Sequence, residues 1–173
     1  MKALILNSGL GSRMGVLTSE HPKCMTEISA KETILSRQLI LLSELGIRDV
    51  VITTGLFDAV LVNYCQSLET PLHFTFVKNP RYAETNYIYS IYCARDYLDD
   101  DILLMHGDLV FEYEVLERVM ASDFSCMTVS STLPLPEKDF KAVVSGGMVK
   151  KVGIEFFNDA MEAQALSKLK QED

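Results

Sequence analysis

Apolar and polar positions alternate along this chain in two distinct rhythms. "KALILN" (2–7) is a continuous apolar run, the pattern of a strand covered on both faces. "ETILSRQLILLSELG" then places Ile34, Leu35, Leu39, Leu42 and Leu45 at helical spacing, with Gly46 as a stop. "DVVITT" (49–54) predicts a second buried strand and "LFDAVLVNYCQSL" (56–68) a helix. The same alternation continues with a strand in "LHFTFV" (72–77), a helix with an aromatic face in "TNYIYSIYCARDYL" (85–98) and a strand in "DILLMHGD" (101–108). "EYEVLERVMAS" predicts a helix and "FSCMTVSS" (124–131) another strand. The tail changes rhythm. "FKAVVSGGMVKKVGIEF" is two short apolar runs around Gly146-Gly147, a hairpin signal, and "NDAMEAQALSKLKQED" has helical composition and spacing to the chain end. "STLPLPEKD" (131–139) is the segment expected to be mobile, because its prolines interrupt any ladder.

Strands alternating with helices imply an α/β fold with a largely parallel sheet and helices on both faces. The 173 residues fit one domain, with 48% hydrophobic and 23% charged residues as in a globular protein. A net charge of −8 opposes broad binding to nucleic acid or to an anionic membrane, but leaves room for a local basic pocket. Cys24, Cys65, Cys93 and Cys126 lie far apart without a C-x-x-C pair, so reduced thiols in a cytoplasmic protein are the expectation. No apolar run approaches the length of a membrane span, and the N-terminus reads as a core strand running into a glycine loop.

That loop, "LNSGLGSRMGVLTSEHPK", carries the chemistry. The dinucleotide fingerprint fails, because its third glycine would fall on Met14 and Thr53 and Thr54 stand where its acidic residue belongs. The phosphate loop ending G-K-[S/T] is absent as well. What remains is Gly9, Gly11, Ser12 and Arg13, with Pro22-Lys23 following. Glycines let backbone N–H groups approach phosphate oxygens, as in an anion-binding nest. Arg13 can offer a planar fork to a leaving pyrophosphate, and Lys23 can neutralise an α-phosphate. A plain glycine turn with a solvated Arg and Lys is the alternative for any one of these residues alone.

Leu6, Gly9, Gly11, Ser12, Arg13, Pro22 and Lys23 together resemble the signature L-x-x-G-x-G-[S/T]-R…P-K of nucleotidyltransferases that couple a nucleoside triphosphate to a sugar phosphate or alcohol phosphate. The resemblance implies a three-layer, Rossmann-like nucleotide-diphospho-sugar transferase fold with a mostly parallel mixed sheet. Asn7 and Ser8 depart from the family's usual alanines and change polarity close to the base or ribose. The family carries a Gly-Asp at the end of a later strand, and its Asp holds Mg²⁺; Gly107 and Asp108 match it. An Asp in an ordinary turn is the bland reading. His106 lies on the same side of that strand and reads as a satisfied strand-end histidine.

"NPRYAETNYIYSIY" (79–92) resembles the matching region of bacterial phosphocholine cytidylyltransferases and of related enzymes acting on aminoethylphosphonate. Thr85 and Asn86 stand at the predicted helix start, where either can cap the helix; Asn86 can instead meet a pyrimidine edge. Tyr82, Tyr87, Tyr89 and Tyr92 offer a cation–π cage, or simply pack on the sheet. The resemblance implies CTP or another nucleoside triphosphate and a small phosphorylated or phosphonate acceptor as ligands, with Mg²⁺ as cofactor. The family's second metal carboxylate comes from a strand beyond the predicted terminal helix, so a shortened fold with weak turnover, or a homo-oligomer formed at the exposed edge, is expected. Glu155 and Asp159 are the nearest acids and do not sit in that motif. A non-catalytic nucleotide-binding or partner-binding module, or a sugar-1-phosphate nucleotidyltransferase using another triphosphate, are the alternative functions.

Overall fold

The computed structural model describes residues 1–11, 19–132, 134, 135, 137, 140–155 and 159–171. The chain opens with β1 (Lys2–Leu6), whose side chains alternate between the two faces of a central sheet. Ala3 and Ile5 enter one apolar cluster and Leu4 and Leu6 another. This explains the unbroken apolar run: both faces of the strand are covered. A short hairpin, β2 (Glu27–Ser29) and β3 (Glu32–Thr33), leads into α1 (Ile34–Glu44). Thr33 caps that helix, accepting from the Ser36 N–H at 3.0 Å while the Ser36 hydroxyl accepts from the Thr33 N–H at 2.9 Å. Then follow β4 (Asp49–Thr54), α2 (Asp58–Ser67), β5 (His73–Lys78), α3 (Tyr87–Ala94), β6 (Ile102–His106), α4 (Tyr113–Met120) and β7 (Cys126–Ser130). The last elements are β8 (Lys141–Ser145), β9 (Met148–Gly153) and β10 (Ala160–Leu169).

Among the described residues the main sheet has eight strands in the order β5-β4-β1-β6-β10-β8-β9, with β7 also paired to β10. The first four in that order are parallel, and β10, β7, β8 and β9 pair antiparallel. The sheet is therefore mixed, with its parallel part built by the N-terminal half. Helices α1, α2 and α4 contribute Leu35, Leu39, Leu42, Leu61, Leu116 and Val119 to the cluster on one face. Helix α3 covers the other face with Ala94, Tyr87 and Ile91. The expected three layers are present, with the α-helices among the described residues divided three to one.

The hairpin signal holds: β8 and β9 are joined by Gly146 and Gly147 at φ +60° and +74°, the left-handed pair that a two-residue turn needs. Of the segment 131–139, Leu133, Pro136, Lys138 and Asp139 lie outside the described residues. The terminal helix is a correction. Residues 160–169 form β10, which pairs with β6 from Leu166↔Met105 to Leu169↔Ile102. Helix propensity loses here to a ladder. β6 sits in the middle of the sheet, and without β10 its outer N–H and C=O groups would be left unpaired beside the core.

Candidate active site

Chain order and strand order together locate the site. From β1 the chain moves outward through β4 to β5, then returns to the other side of β1 with β6. The direction reverses between β1 and β6, and open α/β sheets bind ligands at the carboxyl ends of strands at such a reversal. Asn7 and Ser8 follow β1 there, and Gly107 and Asp108 follow β6. A cleft of about 300 Å³ opens at this point, lined by Leu6 to Gly9, Gly11, Lys23, Tyr82, Thr85 to Tyr87, His106 and Asp108. The sequence-predicted residues Asn7, Ser8, Gly9, Gly11, Lys23, Thr85, Asn86 and Asp108 are thus gathered around one opening. Ser12 and Arg13 lie outside the described residues.

At one wall the Lys23 ammonium sits 3.2 Å from the Asp108 carboxylate, in a pair only partly withdrawn from water. Asp108 is placed by a residue outside the glycine-loop motif. Gln38 is fully buried on α1, and its Nε2 donates to the carbonyls of His106 at 3.0 Å and Leu109 at 2.8 Å. It therefore grips both sides of the Gly107-Asp108 turn. The legible signal was a glutamine inside the apolar stripe of Leu35, Leu39 and Leu42. Cys24, next to Lys23, is buried, and desolvation pushes its thiol well above the ordinary range, so it is no nucleophile for this cleft.

Gly107 makes room for its neighbour. A Cβ there would stand 1.7 Å from Asn7 Oδ1, so the Asn7 amide fills the space that a side chain would take. Asn7 Nδ2 is buried and has no hydrogen-bond partner among the described residues. Gly11 adopts φ +67°, the left-handed region that favours glycine. Gly9 has open space where a Cβ would point, so packing makes no demand on it.

Within the same lining the structure separates Thr85 from Asn86. Asn86 is the N-cap of α3, its Oδ1 accepting from the Ile88 N–H at 3.0 Å. Thr85 Oγ1 donates to the Arg81 carbonyl at 2.7 Å and accepts from Asn79 Nδ2 at 3.1 Å, so it is engaged in the chain's own bonds. The tyrosines divide as well. Tyr82 and Tyr87 line the cleft, and Tyr87 packs against His106 at 5.1 Å and Phe140 at 5.6 Å. Tyr92 lies under Arg95 at 4.3 Å and Tyr89 under Arg81 at 5.6 Å, so both rings already face a guanidinium of this chain. Neither lines the cleft. Among the described residues no group of three His, Cys, Asp or Glu side chains is arranged to hold a metal.

Comparison with known proteins agrees with this architecture. Residues 3–131 match the family model described as the MobA-like NTP transferase domain. The chain is 33% identical over 135 residues to the CMP-5'-(3-aminopropyl)phosphonate synthase of Streptomyces rubellomurinus, covering 78% of this chain and 21% of that protein. It is 30% identical over 126 residues to the CTP:phosphoglutamine cytidylyltransferase of Campylobacter jejuni, covering 69% of this chain and 48% of that one. The chain therefore spans less than half the length of these curated relatives. Among solved structures, the inositol-1-phosphate CTP transferase from T. maritima superposes with a TM-score of 0.79 at 20% identity, over 99% of this chain and 71% of that one, and shares the fold. With its Rossmann-like mixed sheet and a family match over most of its length, the chain belongs to the MobA-like NTP transferase domain family.

Proposed function

We propose that residues 1–173 act as one nucleotidyltransferase domain that moves the cytidylyl group of CTP onto a small acceptor and releases pyrophosphate. The observation that carries this reading is the Lys23–Asp108 pair, held at 3.2 Å across from a glycine loop at the sheet's reversal point. One cation and one carboxylate lining a cleft of about 300 Å³ suit a triphosphate that arrives with its own divalent metal. The residues fit Mg²⁺ in that limited sense: Asp108 offers one hard carboxylate, and Mg²⁺ is commonly bound by one or two carboxylates plus substrate phosphates. When bound, the ion would neutralise triphosphate charge as pyrophosphate departs.

The chain's own groups supply the rest. An anionic oxygen of the acceptor attacks the α-phosphorus in line, a P–O bond forms, and the bond to the β-phosphate oxygen breaks with its electron pair leaving on pyrophosphate. No general base is needed, because the attacking oxygen is already ionised. Catalysis is then positioning and charge stabilisation. Lys23 bears on the α-phosphate, Arg13 on the leaving pyrophosphate, and the N–H groups around Gly9 and Gly11 on the phosphate oxygens. Gly107 leaves room for Asn7 beside them.

Asn86 can meet a pyrimidine base. Its Oδ1 is spent on the helix cap, so its Nδ2 hydrogens are what it can offer a base. Cytosine presents N3 and O2 as acceptors and uracil O2 and O4, so these donors suit either pyrimidine, and the cytidylyl-transferring relatives are what support CTP. The named activities of the relatives, with aminopropylphosphonate or phosphoglutamine, support an acceptor that pairs a phosphate or phosphonate with a nitrogen-bearing group, and phosphocholine is of that class. The thiols are free and the reaction draws on CTP, so the cytoplasm is the proposed compartment. The test is pyrophosphate release with CTP and Mg²⁺, using phosphocholine and aminoalkylphosphonates as acceptors, with UTP and GTP as comparison. Release that is equal with UTP overturns the base assignment. Absence of release with every triphosphate and acceptor overturns the reaction.

A further inference from the structure

Three polar side chains that the predicted chemistry does not use directly, or uses without explanation, form one buried chain of hydrogen bonds beneath the cleft. Ser90 is completely buried on α3, Asn79 is 1% exposed at the end of β5, and Ser8 is 7% exposed after β1. Asn79 Oδ1 accepts from the Arg81 N–H at 2.8 Å, which fixes which end of the amide is oxygen. Its Nδ2 then spends its hydrogens on Thr85 Oγ1 at 3.1 Å and Ser90 Oγ at 3.0 Å. Ser90 Oγ lies 2.5 Å from Ser8 Oγ.

The direction of that last bond follows by elimination. An amide NH₂ can only donate, so Ser90 accepts from Asn79. The Ser90 hydroxyl has no other acceptor among the described residues, so its hydrogen goes to Ser8. Ser8 therefore accepts, and its own hydrogen is left for the cleft that it lines. The Ser8 backbone is held as well, because its carbonyl packs where a Cβ on Gly55 would lie, at 2.5 Å.

We propose that Asn79 and Ser90 are positioning residues that set the Ser8 hydroxyl as a hydrogen-bond donor toward an oxygen of the bound nucleotide. The proposal rests on the nucleotide reading given above. The phosphate and carbonyl oxygens of a nucleotide accept and cannot donate, so a hydroxyl of fixed polarity serves such an oxygen better than one that must reorient. Burying three polar groups in an apolar layer is costly unless each is bonded, and each of these is.

The experiment is a double-mutant cycle on CTP·Mg²⁺ affinity, measured by calorimetry, with thermal unfolding of every variant as the check on folding. Ser8→Ala should weaken binding roughly tenfold, the scale of one hydrogen bond to a charged or strongly polar oxygen. Ser90→Ala should weaken it by a smaller factor, and Ser8→Ala/Ser90→Ala should be no worse than Ser8→Ala. Asn79→Asp reverses the chain: the carboxylate accepts from Ser90, Ser90 accepts from Ser8, and Ser8 turns lone pairs to the cleft. That variant should bind more weakly than Ser8→Ala, and adding Ser8→Ala to it should recover affinity. Wild-type binding of CTP with unchanged affinity in Ser8→Ala, or with Ser8 and Ser90 effects that multiply, overturns the relay and leaves the nucleotide reading standing. Failure of the wild type to bind any nucleoside triphosphate overturns both.

Discussion

Gly107→Ala tests the packing on which the site depends. The new Cβ would fall 1.7 Å from Asn7 Oδ1, 2.4 Å from its Cγ and 2.7 Å from its Nδ2. Gly107 is not among the glycines with positive φ, so the backbone itself accepts alanine. The whole cost is therefore assigned to the Asn7 amide, which must leave its slot. Displacing a packed side chain and forcing a shift in its surroundings costs about 1–3 kcal/mol. In a protein of this size each kcal/mol lowers Tm by roughly 2–4 °C. A displaced amide would also enter the cleft, so CTP affinity should fall along with stability.

Asn7→Ala removes the obstacle, and with it a buried Nδ2 that has no partner among the described residues. Alone it should be close to neutral in stability, because burying an unsatisfied amide donor already costs about 1–3 kcal/mol. Asn7→Ala/Gly107→Ala should then regain most of what Gly107→Ala loses. Urea unfolding of the four proteins, read as midpoint and slope, measures this coupling. A double variant as unstable as Gly107→Ala alone would refute the reasoning, since the backbone and not Asn7 would then demand the glycine.

Asp108→Asn should abolish the gain in CTP affinity that Mg²⁺ brings, as read by titrations with and without the metal. Lys23→Met should weaken triphosphate binding by about 1.5–3 kcal/mol, the value of a charge-assisted contact, with Tm little changed. Lys168 is buried and donates to the Met120 and Ser122 carbonyls at 3.0 and 2.5 Å, so Lys168→Met should destabilise by about 1–3 kcal/mol, seen in urea unfolding. Stability should fall in acid for a definite reason. Asp99 is held below its usual range by a hydrogen bond from Lys2, Asp100 by one from the N-terminal ammonium, and Asp101 by the Gln171 N–H and Lys170. A depressed folded pKa gives stability that is present above the ordinary carboxylate value of about 3.9 and is lost as pH falls through the folded values. Asp99→Asn/Asp100→Asn/Asp101→Asn should flatten the unfolding midpoint against pH below that point.

What was legible in the sequence, and what was not, follows from where each residue's stabilising partners lie. β1 could be read because Ala3 to Leu6 are apolar on both faces. Gly146-Gly147 could be read because a two-residue turn is decided by its own φ angles. Asn79 and Ser90 could not, and Gln38 showed only as a glutamine inside an apolar stripe. Each looks like an ordinary polar residue until a segment at least eleven positions away supplies its partner. The same holds for β10. Ala160 to Leu169 carries alanine, glutamate, glutamine, leucine and lysine, and by itself would favour a helix. Its even positions nonetheless do strand work: Leu166 enters the core, and Lys168 buries its stem and caps the carboxyl end of α4. What decides the matter is the partner: β6 is buried and offers a row of backbone groups that only a strand can satisfy. β10 runs antiparallel to β6, so its early residues lie toward the end of β6 that carries Gly107 and Asp108. The segment misread as a terminal helix is therefore the strand that brings the second half of the sheet up to the cleft.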